Sequence, residues 1–257
     1  IGTPYSTTAK TFDGYTLIET PSNATGKYVE GTTTVIYYYE RVAAQITDTT
    51  INKTAETEEI TDSKDEVTYT ITYDTTIKDY NGPVTIKIVD TLPYKIDGSK
   101  SNLAGGTYDE TSKTITWEIK KSINTYADKT SDSETISGSL EYTVVYKDLD
   151  ATLDEITNKV SGTIEVETTD PIEVSDEEEV PVNINGTVIT YHKDSEGNIL
   201  RSNITTKGKV GEKYQTSSVT IPGYELYSTP SNSNGKYIEG TIEVTYIYKR
   251  LGATPKN

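Results

Sequence analysis

Three polar residues that fall on the apolar side of predicted strands are the positions in this sequence best suited to chemistry. Alternate residues of a strand face the same way, and this alternation places Lys53, Asp90 and Asn158 among apolar neighbours of their own strands. A buried carboxylate is costly unless it is paired or protonated. The sequence therefore predicts polar partners for Asp90, and the lysine and the asparagine are the candidates.

A lysine, an acid and an asparagine in such surroundings are the ingredients of a spontaneous Lys–Asn isopeptide bond. A desolvated lysine loses its proton and becomes a nucleophile. A buried acid favours its protonated form, in which it donates a hydrogen bond to the asparagine carbonyl and shuttles protons. The amine attacks the amide carbon and ammonia leaves, and fixed proximity supplies roughly 7–11 kcal/mol of the barrier. The alternative interpretation is a surface lysine, an aspartate in the turn at residues 91–93 and an asparagine at a strand end.

The elements that must position these residues are predicted to be short alternating strands. Between about residues 42 and 182, alternating apolar residues mark strands at 67–73, 84–88, 115–119, 140–146 and 160–166, separated by turn clusters. Many short strands with turns between them predict a β-sandwich. A short helix is expected at residues 151–155, and the acidic run 176–179 is expected to be a hinge or a final strand.

The two ends of the chain repeat each other. A shift of 209 positions aligns Gly14-Tyr15 with Gly223-Tyr224, and many further positions match without a gap. Only the second copy has a preceding strand, at 187–191, and a hairpin turn, at 194–198. Repeats of this kind indicate a modular array, in which the first copy is incomplete and leaves a sheet edge open.

These motifs resemble two kinds of module. The repeated unit, running from the first strand through Gly-Tyr and Asn-x-x-Gly to Val-Thr-Tyr-Ile-Tyr, is similar to the MucBP (mucin-binding-protein) repeat. The early lysine, Asp-x-x-Pro and Asn-Lys-Val of the middle region resemble the Ig-like, isopeptide-forming domains of Gram-positive surface proteins. The second resemblance implies that Lys53 and Asn158 are the bonded pair and Asp90 the catalytic acid.

The resulting fold class is mainly all-β, with a central Ig-like β-sandwich between small β-grasp-like MucBP modules. We expect an incomplete repeat at 1–41, the sandwich at 42–182, a complete repeat at 183–250 and a tail or linker at 251–257. The chain opens inside a module, so we expect it to be an excerpt of a longer protein.

Composition narrows the possible partners and cofactors. The net charge of −16 makes nucleic acid and anionic membranes unsuitable partners, and no apolar run is long enough to span a membrane. The absence of cysteine excludes disulfides, cysteine zinc sites and a thiol nucleophile. We expect no cofactor and no metal, because the turn at 194–198 lacks the spaced ligands of an EF-hand. His192 has no serine and acid at a recognisable spacing for a hydrolase triad.

The expected function is that of a non-enzymatic, extracellular, wall-attached surface protein, in which this chain is part of the stalk or adhesive array. By resemblance, the MucBP-like modules imply binding to mucin or other host glycoprotein glycans, for which the outward tyrosines Tyr38 and Tyr227 are the candidate contacts. The partners are then such glycans and neighbouring repeats of the same chain. An alternative is a spacer that binds no ligand. A third interpretation is a glycosidase that uses two acids such as Asp109 and Glu118.

Overall fold

The computed structural model describes residues 1–126 and 132–252, and these residues form strands, turns and loops without a helix. This confirms the expected all-β class. No helix in the described ranges has the length and apolar character to cross a membrane. The tail expected at 251–257 lies outside the described residues from position 253 onward.

The first repeat forms two small antiparallel pairs. Its strands are β1 (Pro4–Ser6), β2 (Tyr15–Glu19), β3 (Thr25–Lys27) and β4 (Tyr38–Arg41). β1 pairs with β3, and β2 pairs with β4. The turn into β2 depends on Gly14, whose φ of 78° is a backbone conformation that glycine adopts readily.

The central region is a two-sheet sandwich. Its strands are β5 (Gln45–Ala55), β6 (Glu66–Lys78), β7 (Asn81–Thr91), β8 (Thr107–Asp109), β9 (Thr114–Asn124), β10 (Ser133–Val145), β11 (Glu155–Val166) and β12 (Ile172–Pro181). One sheet has the order β10-β6-β5 and the other β12-β11-β7-β9-β8, with antiparallel neighbours throughout. Alternate side chains of both sheets point inward and form one continuous apolar core, as expected of an Ig-like sandwich.

The last repeat is built on a mixed sheet. Its strands are β13 (Asn185–Asp194), β14 (Ile204–Lys209), β15 (Lys213–Gln215), β16 (Tyr224–Ser228), β17 (Asn234–Lys236) and β18 (Gly240–Arg250). The sheet order is β14-β13-β18-β16, with β13 and β18 parallel, and β15 and β17 form a separate pair. A second apolar cluster, separate from the core of the sandwich, lies against this sheet.

The two repeats share local geometry but differ in completeness. Gly223, the counterpart of Gly14, has a φ of 82° and also precedes a strand. β18 has eleven residues and lies between β13 and β16, whereas its counterpart β4 has four residues and pairs only with β2. The first repeat thus has the open sheet edge that the missing strand predicts.

The backbone of the central region shows the conformation of residues 151–155 and of the acidic run 176–179. The expected helix at 151–155 is wrong, because the Asp150 carboxylate accepts hydrogen bonds from the N–H and hydroxyl of Thr152 and closes a turn. β11 then begins at Glu155. The acidic run 176–179 lies inside β12, so it is a final strand of the sandwich and not a hinge.

Candidate functional site

The three predicted residues come from strands of both sheets. Asp90 on β7 pairs with Val160 on β11, so Asn158, two residues earlier on β11, faces the same side of the five-stranded sheet. Lys53 on β5 belongs to the facing three-stranded sheet. All three side chains are buried, and the structure brings them together between the sheets.

The lysine amine is held by two oxygens. Lys53 Nζ lies 2.5 Å from Asp90 Oδ1 and 2.5 Å from the hydroxyl of Tyr142 on β10. The amine also lies over the ring of Tyr69, 4.4 Å from its centroid. The backbone N–H of Lys53 donates to Asp176 Oδ2 at 2.7 Å, which anchors β5 to β12 of the other sheet.

The second carboxylate oxygen of Asp90 contacts the amide. Asp90 Oδ2 accepts from the Tyr142 hydroxyl at 2.6 Å and from Asn158 Nδ2 at 3.2 Å. Asn158 Nδ2 lies 3.3 Å from the Tyr142 hydroxyl, and Asn158 Oδ1 is buried with no hydrogen-bond partner among the described residues.

This amide orientation differs from the sequence-based expectation, which placed the carbonyl of Asn158 against the acid. The difference has an electrostatic reason. A carboxylate paired with Lys53 can only accept hydrogen bonds. The amide N–H can donate to it, whereas the amide carbonyl cannot. In this arrangement Asp90 is the acceptor toward Lys53, Tyr142 and Asn158.

Burial favours the neutral forms of Lys53 and of the tyrosines beside it. Desolvation lowers the pKa of Lys53, and the neighbouring charge of Asp90 opposes this shift. Burial, followed by the charge of Asp90, raises the pKa of Tyr142 well above its usual value, so its hydroxyl keeps its proton. Burial also raises the pKa of Tyr69 to about 12. The arrangement can supply a neutral amine beside an acid and an amide, which is the composition an amide exchange needs.

Sequence reasoning missed two members of the site. Tyr142 lies on the strand predicted at 140–146, but tyrosine is common on strands and nothing in its pattern marks it as a partner of Asp90. Asp176 belonged to an acidic run whose general character gave no sign of a specific contact.

The candidate ligand-binding tyrosines are both exposed, and each lies in a different repeat. Tyr38 is on β4 and Tyr227 is on β16, where the Lys249 ammonium lies 3.4 Å from the ring centroid. The counterpart of Tyr227 in the first repeat is Ile18, so the two tyrosines do not form a repeated site.

The remaining polar candidates have structural partners. His192 is buried, its Nδ1 lies 3.1 Å from the Tyr248 hydroxyl, and its ring stacks on Tyr246. Asp194 accepts hydrogen bonds from the backbone N–H groups of Glu196 and Asn198, which closes the hairpin turn. Within residues 1–126 and 132–252, no group of three or more His, Asp or Glu side chains is placed to hold a metal ion.

A comparison with protein families matches the MucBP domain at residues 1–40 and 187–249. The match confirms the resemblance of both terminal segments. The central sandwich lies between the two matched ranges.

The chain is also similar to Internalin J of Listeria monocytogenes. It is 28% identical over 265 residues to the protein of serotype 4b (strain F2365), covering 96% of this chain and 27% of that protein. It is 26% identical over 273 residues to the protein of serovar 1/2a (strain ATCC BAA-679 / EGD-e), covering 96% of this chain and 29% of that protein. The chain therefore spans less than a third of the length of these relatives.

Solved structures with a related arrangement include BcpA, the major pilin subunit of Bacillus cereus. The two chains are 13% identical, and the match covers 87% of this chain and 83% of the pilin chain, with a TM-score of 0.39. A Mobiluncus mulieris adhesin described as containing disulfide, isopeptide and ester bond cross-links is 14% identical. The match covers 82% of this chain and 100% of the adhesin chain, with a TM-score of 0.37. Both TM-scores are low, so neither structure carries a functional implication for this chain.

Proposed function

We propose that this chain is part of an extracellular, wall-attached surface protein whose central sandwich is locked by a self-made amide bond between Lys53 and Asn158. The observation that carries the proposal is the buried contact of Lys53, Asp90 and Asn158, which joins two facing sheets. The proposed reaction occurs once in each molecule and does not turn over.

The first step is a proton transfer. A proton moves from Lys53 Nζ to Asp90 Oδ1 along their 2.5 Å hydrogen bond, which converts a buried ion pair into a neutral amine and a neutral acid. Burial favours this exchange because both charged forms lose solvation.

The second step exchanges one amide for another. The amide first makes a half-turn about its last torsion, which brings its oxygen to the Asp90 carboxyl group. The neutral Nζ then attacks Asn158 Cγ, while a donor hydrogen bond from Asp90 polarises the carbonyl. The new Nζ–Cγ bond forms, the Cγ–Nδ2 bond breaks, and Asp90 carries a proton from Nζ to the leaving nitrogen. Ammonia departs and leaves a neutral amide, so atoms and charge balance.

The bond would act through the kinetics and mechanics of unfolding. Lys53 lies on β5 and Asn158 on β11, in different sheets. An amide between them prevents the sheets from separating without a covalent break, which raises resistance to heat, proteases and force.

The crosslink is tested by protease digestion and mass spectrometry. The expected product is a branched peptide in which the Lys53 fragment is joined to the Asn158 fragment with one ammonia lost. The matched control is Asp90→Ala, whose digest should contain the two fragments as separate peptides. Separate peptides from the unmodified chain would overturn the proposal.

The terminal repeats are proposed to bind mucin or other host glycoprotein glycans. The support is the MucBP match of both segments and the exposure of Tyr38 and Tyr227, since exposed aromatic rings stack on sugar faces. Immobilised mucin should retain the full chain and should retain a Tyr38→Ala/Tyr227→Ala variant less. Equal retention of both proteins would remove these tyrosines from the site.

The second candidate function is a spacer that carries no ligand. It is favoured by the mutual burial of the sandwich and the last repeat, in which Ile184 and Val210 of the last repeat pack into the core of the sandwich. No retention of the full chain on mucin or on deglycosylated mucin would favour this function.

A glycosidase with Asp109 and Glu118 is disfavoured by the strand register. Asp109 pairs with Thr114, and Glu118 lies four residues further along β9, a displacement of roughly 13 Å. Paired glycosidase carboxylates are separated by roughly 5–9.5 Å. Hydrogen bonds from the N–H groups of Thr111 and Ser112 also lower the pKa of Asp109, which is the wrong direction for a general acid.

A further inference from the structure

We propose that Tyr142 is a further catalytic residue of the crosslinking reaction, whose hydroxyl orients the attacking amine and donates a hydrogen bond to the amide oxygen as negative charge develops there. This inference rests on the Lys53–Asn158 bond proposed above. It assigns a role to a side chain of β10, a strand that carries none of the three residues already discussed.

The hydroxyl of Tyr142 touches every member of the site. It lies 2.5 Å from Lys53 Nζ, 2.6 Å from Asp90 Oδ2 and 3.3 Å from Asn158 Nδ2. The side chain is buried, so water does not compete for these contacts. A hydroxyl at hydrogen-bond distance from nucleophile, acid and electrophile together can act on the reaction itself.

The direction of the hydrogen bonds defines the first role. The Tyr142 hydroxyl has one proton, which it gives to Asp90 Oδ2. It must therefore accept from Lys53 Nζ, and with Asp90 Oδ1 it holds two of the N–H bonds of the ammonium. After one proton has passed to Asp90, the N–H held by the Tyr142 hydroxyl remains and restricts rotation of the neutral amine. The geometry of attack improves when the nucleophile is fixed.

The amide defines the second role. Asn158 Oδ1 has no partner among the described residues, while Nδ2 faces both Asp90 and Tyr142. Once Asp90 has received the lysine proton, it becomes a donor, and a half-turn of the amide about its last torsion brings the oxygen to face Asp90 and Tyr142. The Tyr142 hydroxyl then turns its one proton from Asp90 Oδ2 to the oxygen that carries charge in the tetrahedral intermediate.

A packing role for Tyr142 makes a different prediction. Its ring stacks on Tyr69 with centroids 5.6 Å apart and contacts Trp117 at 5.2 Å. Phenylalanine keeps these ring contacts and removes only the hydroxyl. Loss of one donor to a developing oxyanion slows acyl transfer by roughly 100–1,000-fold in a protease, so Tyr142→Phe should form the bond about a hundredfold more slowly.

The matched control is Tyr146→Phe. Tyr146 is also buried, and its hydroxyl bonds to Tyr69 and not to Lys53, Asp90 or Asn158. The Tyr146→Phe variant therefore loses a buried hydroxyl of the same kind, and no contact to the reacting groups is lost with it.

The experiment follows intact mass with time in chains expressed briefly and purified in the cold. Loss of ammonia should be complete early in the unmodified chain and in Tyr146→Phe, and slow in Tyr142→Phe. Equal rates in the two phenylalanine variants would overturn the role of Tyr142 and leave the crosslink intact. No ammonia loss from the unmodified chain would instead overturn the crosslink, and this inference with it.

Folding is checked separately from chemistry. Tyr142→Phe in a Lys53→Ala background, where no bond can form, should still unfold cooperatively and keep the circular dichroism spectrum of Lys53→Ala. If the phenylalanine variant does not fold, 3,5-difluorotyrosine at position 142 keeps the ring and hydroxyl but makes the hydroxyl more acidic. The rate of ammonia loss should then differ from that of the unmodified chain, and an equal rate would contradict the proposal.

Discussion

At the scale of single residues, the free energy of burying Lys53 explains why a reaction is favoured at this place. An ammonium and a carboxylate in the core lose hydration that their attraction only partly restores. Proton transfer makes both groups neutral, and amide formation removes the basic nitrogen permanently. The proposed crosslink would therefore relieve an electrostatic cost that folding creates, and the folded state itself would drive the chemistry.

The burial of His192 leads to a prediction about pH. Desolvation, assisted by the charge of Arg201, lowers the pKa of His192 in the folded chain below the 6.5 of an exposed histidine. The unfolded chain therefore binds the proton first as pH falls. The resulting stabilisation is complete above about pH 6.5 and is lost progressively below that value.

Thermal unfolding between pH 7.5 and 5.5 measures this effect. The melting temperature of the last repeat should fall on acidification in the unmodified chain and should change less in His192→Gln. Parallel pH dependence of the two proteins would show that another group is responsible.

The residue-scale predictions from sequence succeeded where strand alternation was sufficient. Alternation defines the face on which a side chain lies, so Lys53, Asp90 and Asn158 were correctly expected in the core. It does not define the position along the strand or the direction of an amide. The Tyr142 contacts and the orientation of Asn158 depend on inter-sheet packing, which no local pattern encodes.

At the scale of elements, the two repeats show how a strand depends on its neighbours. Tyr237 is 8% exposed and its counterpart Tyr28 is 56% exposed, while Ile221 is 9% exposed and its counterpart Phe12 is 48% exposed. In the last repeat β13 covers one side of β18, and no described strand does this for β4. The shortness of β4 follows from the missing neighbour, because strand backbone groups need a partner.

A second copy of the strand that pairs with β18 should extend the two-stranded sheet of the first repeat. Residues 184–209 precede the counterpart of Ile1 in the repeat alignment, so a copy of this segment fused ahead of Ile1 should pair with residues 31–41. We expect amide hydrogen exchange at 32–37 to slow and the melting temperature of this repeat to rise.

The control for the graft carries Val188→Asp and Thr190→Asp in the grafted copy. Both positions are buried in the existing β13, so charges there prevent burial without change in length. Equal exchange rates in the grafted and control chains would show that the open edge of β4 does not accept this strand.

Element prediction from sequence worked for long alternating segments and failed for short local ones. The five strands expected in the middle region all occur, because two-residue periodicity over many residues has no competing interpretation. The helix expected at 151–155 was wrong because, in a segment of five residues, one turn closed by an aspartate side chain is enough to determine the backbone conformation. Strand order was not predictable, since it depends on contacts between residues far apart in sequence.

At the scale of the whole molecule, the modules are joined by packed contacts at both junctions. Arg41 at the end of the first repeat bonds to Glu167 and to the carbonyl of Asn81 in the sandwich. At the other end Ile184 and Val210 pack into the sandwich core. Exposed ion pairs contribute little, so the apolar junction to the last repeat is expected to be the stronger of the two.

Force applied to the chain ends should reveal the crosslink as a shorter extended length. The proposed bond would shield the 105-residue interval from Lys53 to Asn158, which would remove roughly 350–380 Å from the fully stretched chain. Single-molecule stretching should show this difference between the unmodified chain and Lys53→Ala. Identical extended lengths would contradict a load-bearing role for the bond.

The most direct test of the central claim is the intact mass of the purified chain at a precision that resolves one ammonia. We predict a mass lower by one ammonia than that of the sequence, and full mass in Lys53→Ala and in Asp90→Ala. A full mass in the unmodified chain would contradict the account and would leave Lys53, Asp90, Tyr142 and Asn158 as a buried polar network without a covalent product.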